Sequence, residues 1–233
     1  MKNFLRRPSL PTGFFHSTVA RQKILNERGV ISMDTQQYSI RKINREECEQ
    51  ILSKNHYLSK QGFAFRCGRN YGLFLKDKLI GVAIFHAVSA WETVKGAFGL
   101  ENKEQKGFWE LGRLALDSEY TVKNLNSWFV ARCIKLLRAE ENVRALISYA
   151  DTDFHEGYTY QALNFKYYGK TAKKSDFWVK QADGTYKKQS RGATKGVDGE
   201  WRPRSQKHRY LIVFDKSLKV KWKQEPYPKR TTP

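Results

Sequence analysis

Apolar and polar positions fall into blocks whose period switches between two and about 3.6, and the switches mark the elements. Residues 38–43 (Tyr-Ser-Ile-Arg-Lys-Ile) alternate as a half-buried strand does. Asn44-Arg-Glu-Glu47 then predicts a helix start, with Asn44 as N-cap and Glu47 as its capping-box partner, the helix running toward Ser53. Tyr71 to Leu75 and Leu79 to Phe85, separated by Lys76-Asp77-Lys78, read as strand, tight turn, strand. Trp109 to Leu116 predicts another strand, ending at Asp117. Phe129, Val130, Cys133, Ile134 and Leu137 lie on one face of a helix over 126–138. Ala145 to Ala150 is a buried-type strand ending in Asp151, followed by a short helix at 158–163 and a strand at 165–168. A last apolar run, Tyr210 to Phe214, predicts a closing strand.

Two stretches lack this patterning. Residues 1–32 carry six basic residues and one acid, Glu27, with no apolar core of secretory-signal length, and residues 1–35 read as a disordered basic arm. Lys170 to Tyr210 holds 12 Lys or Arg against four acids, with several glycines and with Phe177, Trp178, Tyr186 and Trp201 interleaved. The expected organisation is therefore an arm (1–35), an α/β (α+β) catalytic domain with a mixed sheet flanked by helices (36–175), and a basic extension (176–233) packed on that domain. Over the whole chain 43 Lys and Arg face 23 acids, a net charge of +20, which points to a polyanionic partner, nucleic acid first. No apolar run approaches the roughly 20 residues of a membrane span. Cys48, Cys67 and Cys133 are an odd set at wide spacing, neither a disulfide framework nor a zinc pattern, which fits a reducing cytoplasm. Cys67, within Arg66-Cys67-Gly68-Arg69, is the most reactive candidate of the three.

The order of elements is that of the GNAT fold, and Tyr160-Gln-Ala-Leu-Asn-Phe-Lys-Tyr-Tyr-Gly169 resembles the GNAT ending. GNAT enzymes carry a glycine-rich loop before the helix that binds the coenzyme A pyrophosphate. Here that junction, Asp117 to Ser127, contains no glycine, which argues against standard coenzyme A binding. One GNAT-like family resembles the whole set, the phage Mu Mom family. The resemblance rests on Asn55-His56-Tyr57, Glu110 to Leu114, the Asn124/Asn126/Ser127 helix start, Ser148 to Asp151, His155 to Ala162, and Lys207 to Tyr210. It implies an enzyme in the bacterial host cytoplasm, encoded by phage or prophage. That enzyme would convert adenine in double-stranded DNA to its N6-carbamoylmethyl derivative and so hide the DNA from restriction. The donor of the two-carbon unit, acetyl-CoA-like or aminoacyl, is not implied, nor is the oligomeric state, a dimer being one option.

Several residues suit that chemistry. A base buried in a duplex must be flipped into a pocket to react. His56 is a candidate general base or metal ligand, and Tyr57 a stacking or proton-donating group. Asp151, near Asp153 and His155, is placed to orient an amine or, with His56, to form part of an iron or zinc site, which chain spacing alone does not establish. A helix-capping role is the structural alternative for Asp151. Arg113 stands in an apolar strand and needs an anion; Glu110, an odd number of residues away, should face the other side, which favours a ligand-facing Arg113. Tyr160 occupies the place of a proton-donating tyrosine. Asn126 and Ser127 sit at a helix start that attracts anions, Ser127 also being a candidate N-cap, and Tyr71 is a further pocket candidate. Lys187, Lys188, Arg191, Lys195, Arg202, Arg204, Lys207 and Arg209 read as flexible phosphate contacts, with Trp178 or Trp201 as a wedge between bases. The rival readings are a coenzyme A-dependent N-acetyltransferase acting on protein or RNA amines, and a non-catalytic DNA-binding protein on the same fold.

Overall fold

The computed structural model describes residues 34–56, 65–189, 194 and 196–229, with the backbone of two short strands nearer the N-terminus. The chain divides into two units, Met1–Asp34 and Thr35–Pro233. In the first, β1 (Ile24–Leu25) pairs antiparallel with β2 (Ile31–Ser32). The remainder of the arm lies outside the described residues.

In the second unit, β3 (Tyr38–Lys42) leads into α1 (Arg45–Asn55). The capping box forms as its residues predict: Asn44 Oδ1 accepts from the Glu47 N–H at 2.8 Å, and Glu47 Oε2 accepts from the Asn44 N–H at 2.9 Å. A side-chain cap of this kind contributes about 1 kcal/mol. There follow β4 (Arg69–Leu75), β5 (Lys78–Ala87), α2 (Trp91–Phe98), β6 (Phe108–Leu116), α3 (Leu125–Glu140), β7 (Ala145–Asp151), α4 (Tyr158–Ala162) and β8 (Lys166–Lys170). Next come β9 (Lys174–Lys180), β10 (Tyr186–Lys188) and β11 (Gly199–Arg204), and last β12 (Lys207–Val213).

The central sheet has the order β3-β4-β5-β6-β7-β12-β8. Only β6 and β7 run parallel. α1 and α2 cover one face through two separate apolar clusters. Under α1 lie Ile43, Phe74, Val82, Ile84 and Ala115 with Cys48, Ile51 and Leu52 of the helix. Under α2 lie Phe108, Ala145, Ile147 and Leu211 with Val94, Ala97 and Phe98. Residues of alternate parity face α3 and α4: the Tyr71 hydroxyl reaches Glu140 of α3, and Tyr210 stacks on Tyr160 of α4.

Three expectations change. β12 starts three residues earlier than its apolar run and lies inside the sheet, between β7 and β8. Residues 176–233 are therefore not an appended extension; the 175/176 boundary cuts β9, and β12 completes the core. The basic stretch is not a flexible loop, because β9, β10 and β11 form a sheet of their own, inserted between β8 and β12. α2 has no counterpart in the sequence reading: it is short, contains Gly96, and starts at Ala90, which makes no side-chain cap.

Candidate active site

Two local irregularities open the middle of the sheet. The first is a bulge in β6. Ile84 pairs with Arg113 but Phe85 with Leu111, which leaves Gly112 as the extra residue. A Cβ at Gly112 would stand 2.2 Å from Nε2 of His86, so any larger residue at the bulge would have to displace that ring. The second is a parting. β6 and β7 pair only from Phe108/Ala145 to Leu111/Ser148, where Ser148 Oγ donates to the Leu111 carbonyl at 3.1 Å. Beyond that point β6 pairs only with β5, and β7 only with β12.

The bulge also overturns the expected separation of Glu110 from Arg113. Glu110 pairs with His86 and Arg113 with Ile84, and His86 and Ile84 share a face, so both charged residues lie on the α1/α2 side. On that side a polar strip separates the two apolar clusters. It comprises His86, Glu110 and Arg113, then Tyr149 and Asp151 of β7 with their β12 partners Arg209 and Lys207. Arg113 donates from Nη1 to the Gly112 carbonyl at 2.7 Å.

Asp151 is the best-held group of the strip. It is 4% exposed, and its Oδ2 accepts from Lys207 Nζ at 2.7 Å and Ser205 Oγ at 2.8 Å, while Oδ1 accepts from the Asp153 N–H at 3.2 Å. Burial alone would raise its pKa, but the Lys207, Ser205 and Asp153 hydrogen bonds together outweigh that and hold it below the ordinary value. The carboxylate is therefore ionised. It caps no helix: α4 begins after Gly157, well beyond it. The Lys207 ammonium, 2.7 Å from Oδ2, balances its charge. Among the described residues no three His, Cys, Asp or Glu are grouped to hold a metal ion.

His56 ends α1, its N–H donating to the Leu52 carbonyl at 3.1 Å, and its ring is buried. Burial, then the positive fields of Arg113, His155 and Lys207, push its pKa down to about 4. His56 is thus a neutral imidazole, not a base that titrates near pH 7. His155 is likewise lowered, by burial, with Asp151 pulling the other way. Sequence reasoning brings His56, Arg113 and Asp151 to one place, and it missed Ser205, Lys207 as the partner of Asp151, and His86. His86 had a visible signal, a lone imidazole in the apolar run of β5; Ser205 had none.

Tyr160 lies on the opposite face at the start of the parting. It is buried against Phe165 and Tyr210, burial raises its pKa, and its hydroxyl bonds Ser148. Asn126 and Ser127 occupy the first turn of α3, whose leading N–H groups have no intrahelical acceptors. The N-cap is Asn124 at φ 68°, not Ser127, whose Oγ instead donates to the Asn124 carbonyl at 3.0 Å. Tyr71 is not at the site; its ring packs edge-on to Phe85 in the core. Cys67 Sγ accepts from Arg45 Nη1 beside the α1 cluster. Tyr57, Arg191 and Lys195 lie outside the described residues.

The remaining basic residues divide. Lys187, Lys188, Arg202 and Arg204 stand on the inserted sheet, with Lys188 and Arg204 paired to Asp176 at 2.6 and 3.8 Å and Arg202 paired to Glu200. Lys207 and Arg209 are members of the strip, opposite Asp151 and Tyr149. Arg209 donates to the Tyr168 carbonyl at 2.7 Å, lies over Trp222, and has a buried Nε with no hydrogen-bond partner among the described residues. At the other end of the strip, past Phe108, a hollow of about 570 Å³ is lined by Trp91, Arg66, Lys103 and Lys106.

A mixed sheet, parted between its parallel strands and polar at the parting, with helices on both faces, has the layout of a GNAT-like fold. The chain belongs to the Mom protein family, which matches residues 37–229. Among curated proteins no sequence match is found. Solved structures similar to it include an N-acetyltransferase from Staphylococcus aureus Mu50, at 14% identity and TM-score 0.47, covering 76% of this chain and 98% of that one. The IAA acetyltransferase from Bacillus cereus ATCC 14579 aligns at 12% identity and TM-score 0.48, covering 76% and 99%. The ribosomal-protein-S18-alanine N-acetyltransferase from Escherichia coli aligns at 14% and 0.44, covering 76% and 93%. Such values transfer neither substrate nor cofactor.

Proposed function

We propose that this chain transfers a two-carbon unit to the exocyclic amine of adenine in double-stranded DNA, giving N6-carbamoylmethyladenine. The observation that carries the reading, in a member of the Mom family, is the buried, ionised Asp151 at the parting of β6 and β7. Its donors Ser205 and Lys207 directly follow the last strand of the inserted basic sheet.

Adenine N6 is a weak nucleophile, because its lone pair is delocalised into the ring. A flipped adenine on the polar strip would set its N6–H against Asp151, which orients the lone pair and stabilises the positive charge that grows on nitrogen. N6 bonds to the methylene carbon of the donor, and the leaving group departs with the electron pair of the broken bond. The N6 proton leaves by way of the carboxylate to solvent. Tyr160, kept protonated by burial, stands on the other side of the parting as the donor of a proton to the leaving group. Neutral His56 accepts a hydrogen bond from the base or the donor, and Arg113 supplies positive charge to an anionic donor group.

Nucleoside mass spectrometry of DNA from cells expressing the chain tests this. The expected product is adenosine heavier by about 57 Da, the increment of a carbamoylmethyl group on a flipped base. Transfer of an acetyl group would add roughly 42 Da instead, and unmodified nucleosides from cells holding soluble protein would refute the reading.

A further inference from the structure

The inserted sheet has two unlike faces. Strand register puts Trp178 and Asp176 on one side with Tyr186, Lys188, Arg202 and Arg204. That side is closed by its own contacts. The Arg202 guanidinium lies 5.2 Å from the Trp178 ring centre and 4.3 Å from that of Tyr186, and Asp176 bridges Lys188 and Arg204.

The other side carries Phe177, Val179, Lys187, Trp201 and Pro203. Trp201 is 62% exposed, more than any other large apolar side chain among the described residues. Among the described residues its ring meets one neighbouring ring, Phe177, at 5.3 Å between centres. Phe177 is itself buried and stands close to Gly199, where an added Cβ would be 2.8 Å from the ring. The indole is therefore supported from one side by a buried ring and is otherwise largely open to solvent. An exposed tryptophan forgoes one of the largest apolar burials available to any side chain, and here it does so in a strongly basic chain.

Position suggests the occupant. Trp201 precedes by four residues Ser205, whose Oγ bonds Asp151. At about 3.3 Å per strand residue, the two Cα atoms are roughly 13 Å apart. A base swung out of a duplex has to clear a groove about 8 Å deep. An adenine brought to Asp151 thus leaves its vacated step within reach of this indole.

We propose that Trp201, and not Trp178, enters the base stack of duplex DNA at the step the flipped adenine vacates. The proposal rests on the DNA-adenine reading above. Its occupant is the gap in the stack, because a flat apolar ring matches base faces and not phosphates. The cations around it, Lys187 on the same face among them, supply attraction to the flanking backbone.

The test uses the full chain and a set of duplexes carrying 2-aminopurine for one adenine in every nearest-neighbour context. Wild-type protein should raise 2-aminopurine fluorescence severalfold in at least one context. Trp201→Ala should abolish the rise while duplex affinity, read by anisotropy, stays within about threefold. Trp201→Phe, which keeps a stacking ring, should retain most of the rise. Should the alanine variant fail to fold, Trp201→Lys at this exposed position serves the same purpose. A full rise with Trp201→Ala or Trp201→Lys, or no rise with wild-type protein that binds duplex, overturns the proposal. DNA from expressing cells separates this from failure of the parent reading. Modified adenosine formed equally by wild type and Trp201→Ala would sink the wedge alone, and no modified adenosine would sink the reading.

Discussion

At the scale of residues, the site is decided by how two buried groups are charged. Asp151 keeps its charge because three donors surround it, and His56 loses its charge because it is buried and, second, because cations lie near it. The second effect has a consequence for stability. The folded protein holds His56 at about 4, against an ordinary 6.5, so between those values the unfolded chain binds more protons. The stabilisation is complete above about pH 6.5 and is lost as pH falls toward 4. We expect wild type to lose roughly 2 to 3 kcal/mol more than His56→Gln across that window in urea unfolding; parallel curves for the two proteins would refute it. His56, Asp151 and Tyr160 were legible in the sequence because polar groups at the ends of apolar blocks stand out. The partners of Lys207 and Arg209 were not legible, because charge along a chain does not show its partner. Only β12 inside the sheet puts Lys207 opposite Asp151 and Arg209 opposite Tyr149.

Elements were legible where their period was clean, as in α1, α3 and β4 to β7. The inserted sheet was not, since frequent Lys and Gly mask the alternation of Phe177 and Val179 with Trp178. Nor was the bulge, because one extra residue leaves an apolar run looking continuous while it moves Arg113 to the face of Glu110. That element makes its own prediction. Gly112→Ala would drive a methyl group into the His86 ring and should destabilise the protein by about 1 to 3 kcal/mol, the usual cost of overpacking. Adding His86→Ala should recover part of that loss. A Gly112→Ala protein as stable as wild type in denaturant titration would mean that the bulge does not press on His86.

On the scale of the whole molecule, basic groups lie at both ends of the polar strip along the strand direction. Arg66, Lys103 and Lys106 line the hollow beyond Phe108, and the inserted sheet follows the Lys207 end. The seven residues of β7 between them span about 20 Å, some six base pairs of duplex. A duplex gripped at both ends would lie along the strands and pass over Asp151 at the inserted-sheet end of that span. Lys103→Gln with Lys106→Gln should then weaken binding on all sequences and make the slope of log affinity against log salt shallower by about two. An unchanged slope would remove that end from the contact surface. The central claim is that Asp151 serves adenine modification, and substituting it tests this most directly. Asp151→Asn keeps the shape and removes the charge. Nucleoside mass spectrometry of cellular DNA should show the adenosine heavier by about 57 Da with wild type and at least about a hundredfold less of it with Asp151→Asn, at equal levels of folded protein. Equal amounts of modified adenosine from both proteins would contradict the account.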